Sequence, residues 1–414
     1  MQTPFVPVHD RLKDESTKLQ VPFHRASVGE EEVLAASEVI RSGWLTMGPK
    51  TFEFEDKFAK YVGARYAVAV STGTAALHLA LEAAGVQAGD EILLPTTTFT
   101  ATAEAVIYLR ARPVLVDIDP LTMNLDPEDT ARRITPKTKA IIPVHFGGQP
   151  CDMDEIHELA RVHCLRVIED AAHALPSEYR GKRVGRISDF TCFSFYATKT
   201  LTTGEGGMIT TDNATAADRM RLMRLHGIER DAWKRYRADG SWHYNVLESG
   251  FKYNLTDFQS AIGLVQLTKC DAMRKARQAI AGRYSAAFAP FEELVIPTLS
   301  PNRSTSWHLY VLRLRLNLLA GDRNSFIQEL QRLGVACSVH FIPLHMHPYY
   351  QREFGYRLGQ FPRAEQEYHA CLSLPIYPNM TEEEIQCVIR SVTETTVEFR
   401  STRVAVPVSP FASA

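Results

Sequence analysis

The chain has no apolar run that approaches the ~20 residues a membrane span requires. It also has no Cys-x-x-Cys pair. Its seven cysteines (Cys151, Cys164, Cys192, Cys270, Cys337, Cys371 and Cys387) are scattered and odd in number. That argues against a disulfide framework or a zinc site and fits a reducing compartment. An excess of charge of one sign is missing too: 46 basic residues face 48 acidic ones, for a net charge of -2. A nucleic-acid surface would show a clustered basic surplus. Met1 to Lys18 is polar and lacks the apolar core of a signal peptide. There is no internal repeat, no low-complexity block, no Gly-Lys-Ser/Thr of a phosphate-binding Walker loop and no Gly-x-Gly-x-x-Gly. These absences predict a soluble, cytoplasmic protein with neither membrane nor nucleic acid as a partner.

What the chain does have is length and alternation. At 414 residues it exceeds one compact core, so two domains are expected. Short continuous apolar runs alternate with helical segments in the first half. Strands are predicted at Tyr66 to Val70, Glu91 to Pro95, Pro113 to Asp117, Lys139 to Val144, Leu165 to Ile168, Phe190 to Ser194 and Met208 to Thr211. Helices are predicted at Thr74 to Ala84 and Thr100 to Leu109. Strands covered on both faces and separated by helices imply a mostly parallel α/β sheet. A long helix from Asp257 to Phe288 follows, and the pattern then changes to α+β. The expected elements are strands at Trp307 to Leu316 and Cys337 to Ile342, helices at Asn324 to Leu333 and Ala364 to Leu372, and a last helix opened by the Thr381-x-x-Glu384 capping box. The resulting division is an N-terminal arm (1–24), a large domain (25–270), a smaller C-terminal α+β domain (271–400) and a loose tail (401–414).

Ligands of such sheets sit at the carboxyl ends of the strands, and four segments there carry chemistry. Ser71-Thr72-Gly73-Thr74 offers hydroxyls and amide N–H groups at a helix start. It suits a phosphate, or is an ordinary N-cap turn. Thr96 to Thr100 includes Phe99, which is either a stacking partner for a flat ring or a core aromatic. Val167-Ile168-Glu169-Asp170-Ala171-Ala172-His173 ends an apolar strand in two acids, and Asp170 is either a cap or the partner of a cationic ring. Phe193 to Lys199, followed by Gly204-Glu205-Gly206-Gly207, puts a lysine just after another strand. A strand-end lysine and a strand-end aspartate are what pyridoxal phosphate (PLP) chemistry needs: an amine to form a Schiff base and a carboxylate to keep the pyridinium protonated. His340, His345 and His347 match neither a helix face nor a zinc spacing, so no metal is expected. They are placed instead at a substrate mouth, with Tyr349 and Tyr350 nearby. Trp307 and His308 read as core or domain-interface residues.

From Gly43 to Val392 the chain resembles the DegT/DnrJ/EryC1/StrS family of sugar aminotransferases, PLP enzymes of fold type I. The motifs that carry the likeness are Ser42 to Pro49, Ser71 to Leu77, Glu169 to His173, Ser194-Phe195-x-x-x-Lys199, Phe251 to Asp257 with Ala261 to Leu267, Val339 to His345, and Leu374 to Pro378. Within the family, Gly43-Trp44, Ile141 to His145, Glu169 to Ala174, Lys252 to Leu255 and His340-Phe341 are most similar to aminotransferases acting on a UDP-linked 4-ketopentose, although Phe99 stands where those place Trp. The resemblance implies that Lys199 is the catalytic Schiff-base lysine and that Asp170 contacts the ring nitrogen. It further implies that His173 bonds the ring phenolate oxygen, Phe99 stacks on the ring, and Gly73, Thr74 and Ser194 hold the phosphate with Asn254 of a neighbouring subunit. Trp44, Thr46 and His340 are implied on the substrate. The implied reaction moves the amino group of L-glutamate to a nucleotide-linked 4-keto sugar, such as UDP-4-keto-L-arabinose, by a ping-pong route in a homodimer with shared sites. The implied pathway is lipopolysaccharide or other polysaccharide biosynthesis. A PLP-dependent nucleotide-sugar dehydratase carries histidine at the lysine position, whereas Lys199 is intact. A non-catalytic regulatory member would not need Lys199, Asp170 and His173 together.

Overall fold

The computed structural model describes residues 19–229 and 243–400; the expected C-terminal tail lies outside them. Two helices lead in: α1 (Glu30–Ser42), closed by Gly43 at φ +73°, and α2 (Pro49–Val62). They are followed in chain order by β1 (Tyr66–Val70), α3 (Gly73–Ala83), β2 (Glu91–Pro95), α4 (Thr100–Tyr108), β3 (Arg112–Val116), α5 (Pro127–Arg133), β4 (Thr138–Ile141), α6 (Met153–His163) and β5 (Arg166–Asp170). Two-residue strands β6 (Glu178–Tyr179) and β7 (Lys182–Arg183) precede β8 (Phe190–Ser194), β9 (Gly207–Thr211) and α7 (Ala214–Met223). Seven of these strands form one sheet in the order β1-β9-β8-β5-β4-β2-β3, and only β9 runs against the others. This is the expected PLP fold-type-I α/β sheet, flanked by helices.

Continuous apolar strands account for the depth of this core. Val68 to Val70, Ile92 to Leu94 and Ile141-Ile142 are all fully buried, as strands covered on both faces require. Phe54 and Phe58 of α2 meet Phe193 and Phe195 edge-on or tilted at 5.1–5.6 Å between ring centres. Truncating any one of them should cost about 3–5 kcal/mol. This aromatic cluster clamps β8 from behind, which fixes where the chain emerges towards Lys199.

The helix α8 (Asp257–Phe288) runs unbroken through the expected border at 270. It is opened by the Thr256–Gln259 capping box. Beyond it, β10 (Leu294–Val295), β12 (Tyr310–Leu314) and β13 (Cys371–Leu374) make an antiparallel sheet, and β11 (Arg303–Ser304) joins β6 and β7. Helices α9 (Arg323–Arg332), α10 (Pro348–Phe354), α11 (Pro362–Ala370) and α12 (Glu382–Phe399) complete the unit. The capping box at Thr381 and Glu384 forms both of its bonds, at 3.2 and 2.9 Å.

Three expectations need correction. The strand predicted from Trp307 begins only at Tyr310, because Trp307 sits at φ +53°, outside the extended region. The strand predicted over Cys337 to Ile342 is reduced to one bridge, Ser338 to Ser373, since His340 and Phe341 turn to another purpose. The helix predicted to Leu372 ends at Ala370, and its last residues become β13, paired with β12.

Candidate active site

Because β1, β2, β5 and β8 run the same way, their carboxyl ends share one edge of the sheet. A cavity of about 440 Å³ opens there. It gathers Gly73, Thr74, Phe99, Asp170, His173, Ser194, Lys199 and His340, drawn from positions far apart in the chain.

Asp170 is the last residue of β5. Alternation along the strand turns its neighbour Glu169 to the opposite side, where it is fully buried and bonded to His145 Nε2 at 2.8 Å and to Thr191 Oγ1 at 2.9 Å. Asp170 itself accepts bonds from Thr102 Oγ1 at 2.8 Å and from the Ala172 N–H at 3.1 Å. The bond from Ala172 fits the capping reading, and Asp170 also lines the cavity, where a ring partner would have to stand. Burial pushes its carboxyl up from the ordinary range, opposed by those two bonds and by the charge of Lys199. A cation beside it would favour the ionised form further.

Lys199 projects from the turn after β8. That turn is closed by bonds from the Lys199 N–H to the Tyr196 carbonyl at 2.9 Å and from the Phe195 N–H to the Gly206 carbonyl at 2.8 Å. Thr200 adds a hydroxyl bond to the carbonyl of Leu175. Desolvation lowers the Lys199 amine to about 8, with Asp170 pulling the other way. About a tenth of the amine is thus neutral at pH 7, against well under a thousandth for an ordinary lysine, which favours a nucleophile.

The fit to PLP can be judged from unpaired atoms and tight spaces. His173 is buried, its ring is kept neutral by desolvation and by Lys199, and its Nδ1 has no partner. A ring oxygen would supply one. A Cβ on Gly73 would lie 2.8 Å from Ser194 Cβ, so only glycine lets the start of α3 approach β8 closely. Thr72 caps α3 by accepting from the Ala75 N–H at 3.0 Å, which leaves Gly73, Thr74 and Ser194 to face a phosphate at the helix N-terminus. Phe99 is 60 % exposed despite being aromatic, which removes the core reading and leaves a free face on the cavity. These residues fit the cofactor.

Other predicted residues fall elsewhere. Trp44, Thr46 and Asn254 do not line this cavity. Trp44 and Thr46 lie beside the start of α8, where the Thr46 carbonyl accepts from the Asp257 N–H at 3.1 Å. Asn254 bridges to Val70 at the end of β1. His345 is not at a substrate mouth: it is fully buried between Thr96 Oγ1 (2.8 Å) and Glu365 Oε1 (3.0 Å), while Tyr350 is buried against Thr100. Among the described residues no group of three or more His, Cys, Asp or Glu is arranged to hold a metal, and no helix is long and apolar enough to cross a membrane.

Of one wall of the cavity, sequence reasoning placed only His340. Phe23 and His24 of the N-terminal segment, His308, Phe341 and Ile376 all line it. His24 Nε2 donates to the Ala197 carbonyl at 3.2 Å, and Phe23 stacks on His340 at 5.6 Å. Trp307 is core as expected, but the adjacent His308 turns into the cavity and packs on His173 with ring centres 4.3 Å apart. A polar ring at the head of an otherwise apolar run was the signal available for it.

Comparison with known proteins agrees with this geometry. The sequence profile of the DegT/DnrJ/EryC1/StrS aminotransferase family matches residues 26–393. The uncharacterized protein MJ1066 of Methanocaldococcus jannaschii is 48% identical over 380 residues, covering 92% of this chain and 98% of that one. The spore coat polysaccharide biosynthesis protein SpsC of Bacillus subtilis is 47% identical over 373 residues, covering 90% and 96%. Spr1654 of Streptococcus pneumoniae, described as a sugar aminotransferase and solved in its PLP-form, superposes with a TM-score of 0.85 at 31% identity, covering 92% of this chain and 99% of that one.

Proposed function

Given that the chain belongs to the DegT/DnrJ/EryC1/StrS aminotransferase family and is a PLP-dependent sugar aminotransferase, we propose that it moves the amino group of L-glutamate to the C4 carbonyl of a nucleotide-linked keto sugar. A UDP-linked 4-ketopentose is the leading substrate, and the product enters polysaccharide biosynthesis, a reading supported by the likeness to SpsC. The observation that carries the reading is the meeting of Lys199 and Asp170 in one cavity at the carboxyl edge of the sheet.

When bound, PLP supplies the carbonyl that carries the amino group and the ring that takes up electrons. Lys199 Nζ, brought to about 8 by desolvation, is the base that accepts a proton from the donor's α-carbon and returns one to the sugar carbon. Asp170 sets a fixed negative charge at the cavity floor, held in orientation by Thr102 and Ala172. His173, neutral and wedged against His308, orients a ring oxygen through an N–H. Donor and acceptor use the same residues in turn, so the kinetics are ping-pong.

Asn254, Trp44 and Thr46 fit a homodimer in which each copy lends these residues to its neighbour. Their absence from the cavity of their own chain supports that reading. The test is a panel of UDP-, dTDP- and GDP-linked keto sugars with L-glutamate, scored by release of 2-oxoglutarate. Release is expected with a UDP-4-keto sugar; silence across the whole panel rules the substrate class out.

A further inference from the structure

Arg277, on α8, is 1 % exposed, and among the described residues its guanidinium bonds to carbonyl oxygens and pairs with no carboxylate. Nη1 donates to the Ile376 carbonyl at 2.6 Å and to the Trp307 carbonyl at 3.4 Å, while Nε has no partner. A buried guanidinium without a carboxylate partner is costly, and such groups ordinarily come paired. Burial lowers it only to about 10, so it stays a cation at neutral pH.

Its position gives that charge a use. Ile376 lines the cavity, and Trp307 precedes His308, which lines it too, so Arg277 stands one layer behind this wall. His308 is 7 % exposed with Nδ1 unpartnered. On the same wall His340 spends Nδ1 on Ser373 Oγ at 2.9 Å, leaving its other ring nitrogen for a ligand. The acids among the cavity-lining residues are Asp170, claimed by the ring, and Glu205. One end of the cavity thus offers the free ring nitrogen of His340, beside the His308 ring, in front of a positive charge that has no carboxylate partner among the described residues.

We infer that the wall of His308 and His340, backed by Arg277, receives the α-carboxylate of the amino donor, an inference that rests on the aminotransferase reading above. Covalent distance decides between the anions the reaction could bring. The α-carboxylate is attached directly to the carbon that reacts at Lys199, and Lys199 lines the same cavity as His308 and His340. The diphosphate of a nucleotide sugar is held a sugar ring away from its reacting carbonyl. An anion site beside Lys199 therefore suits the first and not the second. His24 lines the same cavity and ties the turn before Lys199 through its Nε2 bond to the Ala197 carbonyl.

The test is calorimetric titration of the PLP-loaded protein with glutarate and, separately, with UDP. Removing the charge in Arg277→Met, or the imidazole in His308→Phe, should weaken glutarate about tenfold to a hundredfold, with UDP changed by less than about threefold. Arg277→Lys, which keeps the charge, should recover most of the loss. An unchanged glutarate affinity in both variants, or an equal weakening of UDP, overturns the inference. If Arg277→Met does not fold, His308→Phe decides alone. The titration needs no turnover, so failure of the sugar panel would strike the substrate reading and leave this result standing.

Discussion

The two walls of the cavity are built in opposite ways. One is the carboxyl edge of the large sheet, where Gly73 follows β1, Asp170 ends β5, and Ser194 and Lys199 lie at and just after the end of β8. The other is assembled from Phe23 and His24 of the N-terminal segment, His308 before β12, His340 and Phe341 after α9, and Ile376 after β13. The first wall carries the charged groups and the helix N-terminus that suit a phosphate and a cationic ring. The second is aromatic and imidazole-rich, with its one full charge withdrawn a layer behind. On the function proposed above, cofactor chemistry would sit on the rigid sheet, and substrate recognition on segments whose relative placement depends on several separate packings.

Breaking the first wall should give the largest effect. Lys199→Ala should lower kcat by at least ~10⁴-fold, since nucleophile and proton carrier are lost together. Bound PLP in that variant should be removable by dialysis and inert to borohydride. Substantial turnover by Lys199→Ala would remove that wall's claim to the chemistry.

A pH titration sharpens the same wall. The Lys199 amine is depressed from 10.5 to about 8, and only its neutral form attacks the PLP aldehyde. Stopped-flow capture of PLP by apoprotein should therefore accelerate about tenfold per unit as pH rises towards 8, then level off above it. The sign follows from burial favouring the uncharged amine; a rate still climbing steeply at pH 10 would contradict it.

The second wall should respond differently and more weakly. His340→Ala is expected to raise a substrate KM by about tenfold, the scale of one lost hydrogen bond to a charged group. PLP content and its absorbance should stay as in the parent protein. Loss of cofactor in that variant would erase the division of labour between the walls.

The two walls also differ in how far they could be read without coordinates. Asp170 and Lys199 were legible because strand and ligand-facing residue are contiguous: an apolar run names the strand, and the polar residue that ends it names the edge. Phe99 needed the structure to choose between core and cavity, and its exposure made the choice. His345 was misplaced because His340, His345 and His347 share a stretch of sequence but not a direction; a turn sends His340 to the cavity and buries His345 against Glu365. His308 was hidden at the head of an apolar run, and the left-handed backbone at Trp307 that turns it inward has no signature in residue type.

Local chemistry, then, determined the parallel sheet, its cofactor edge and the pairing of an amine with a carboxylate. Periodicity and strand-end residues are properties of neighbours in the chain, and a sequence records neighbours directly. Tertiary structure alone decided that residues 23, 308, 340 and 376 line one cavity, and that the guanidinium of Arg277 is sealed behind them with no counter-charge among the described residues. Those meetings depend on how α8, β12, β13 and the N-terminal segment pack, a sum of many weak long-range contacts that no single stretch of sequence displays.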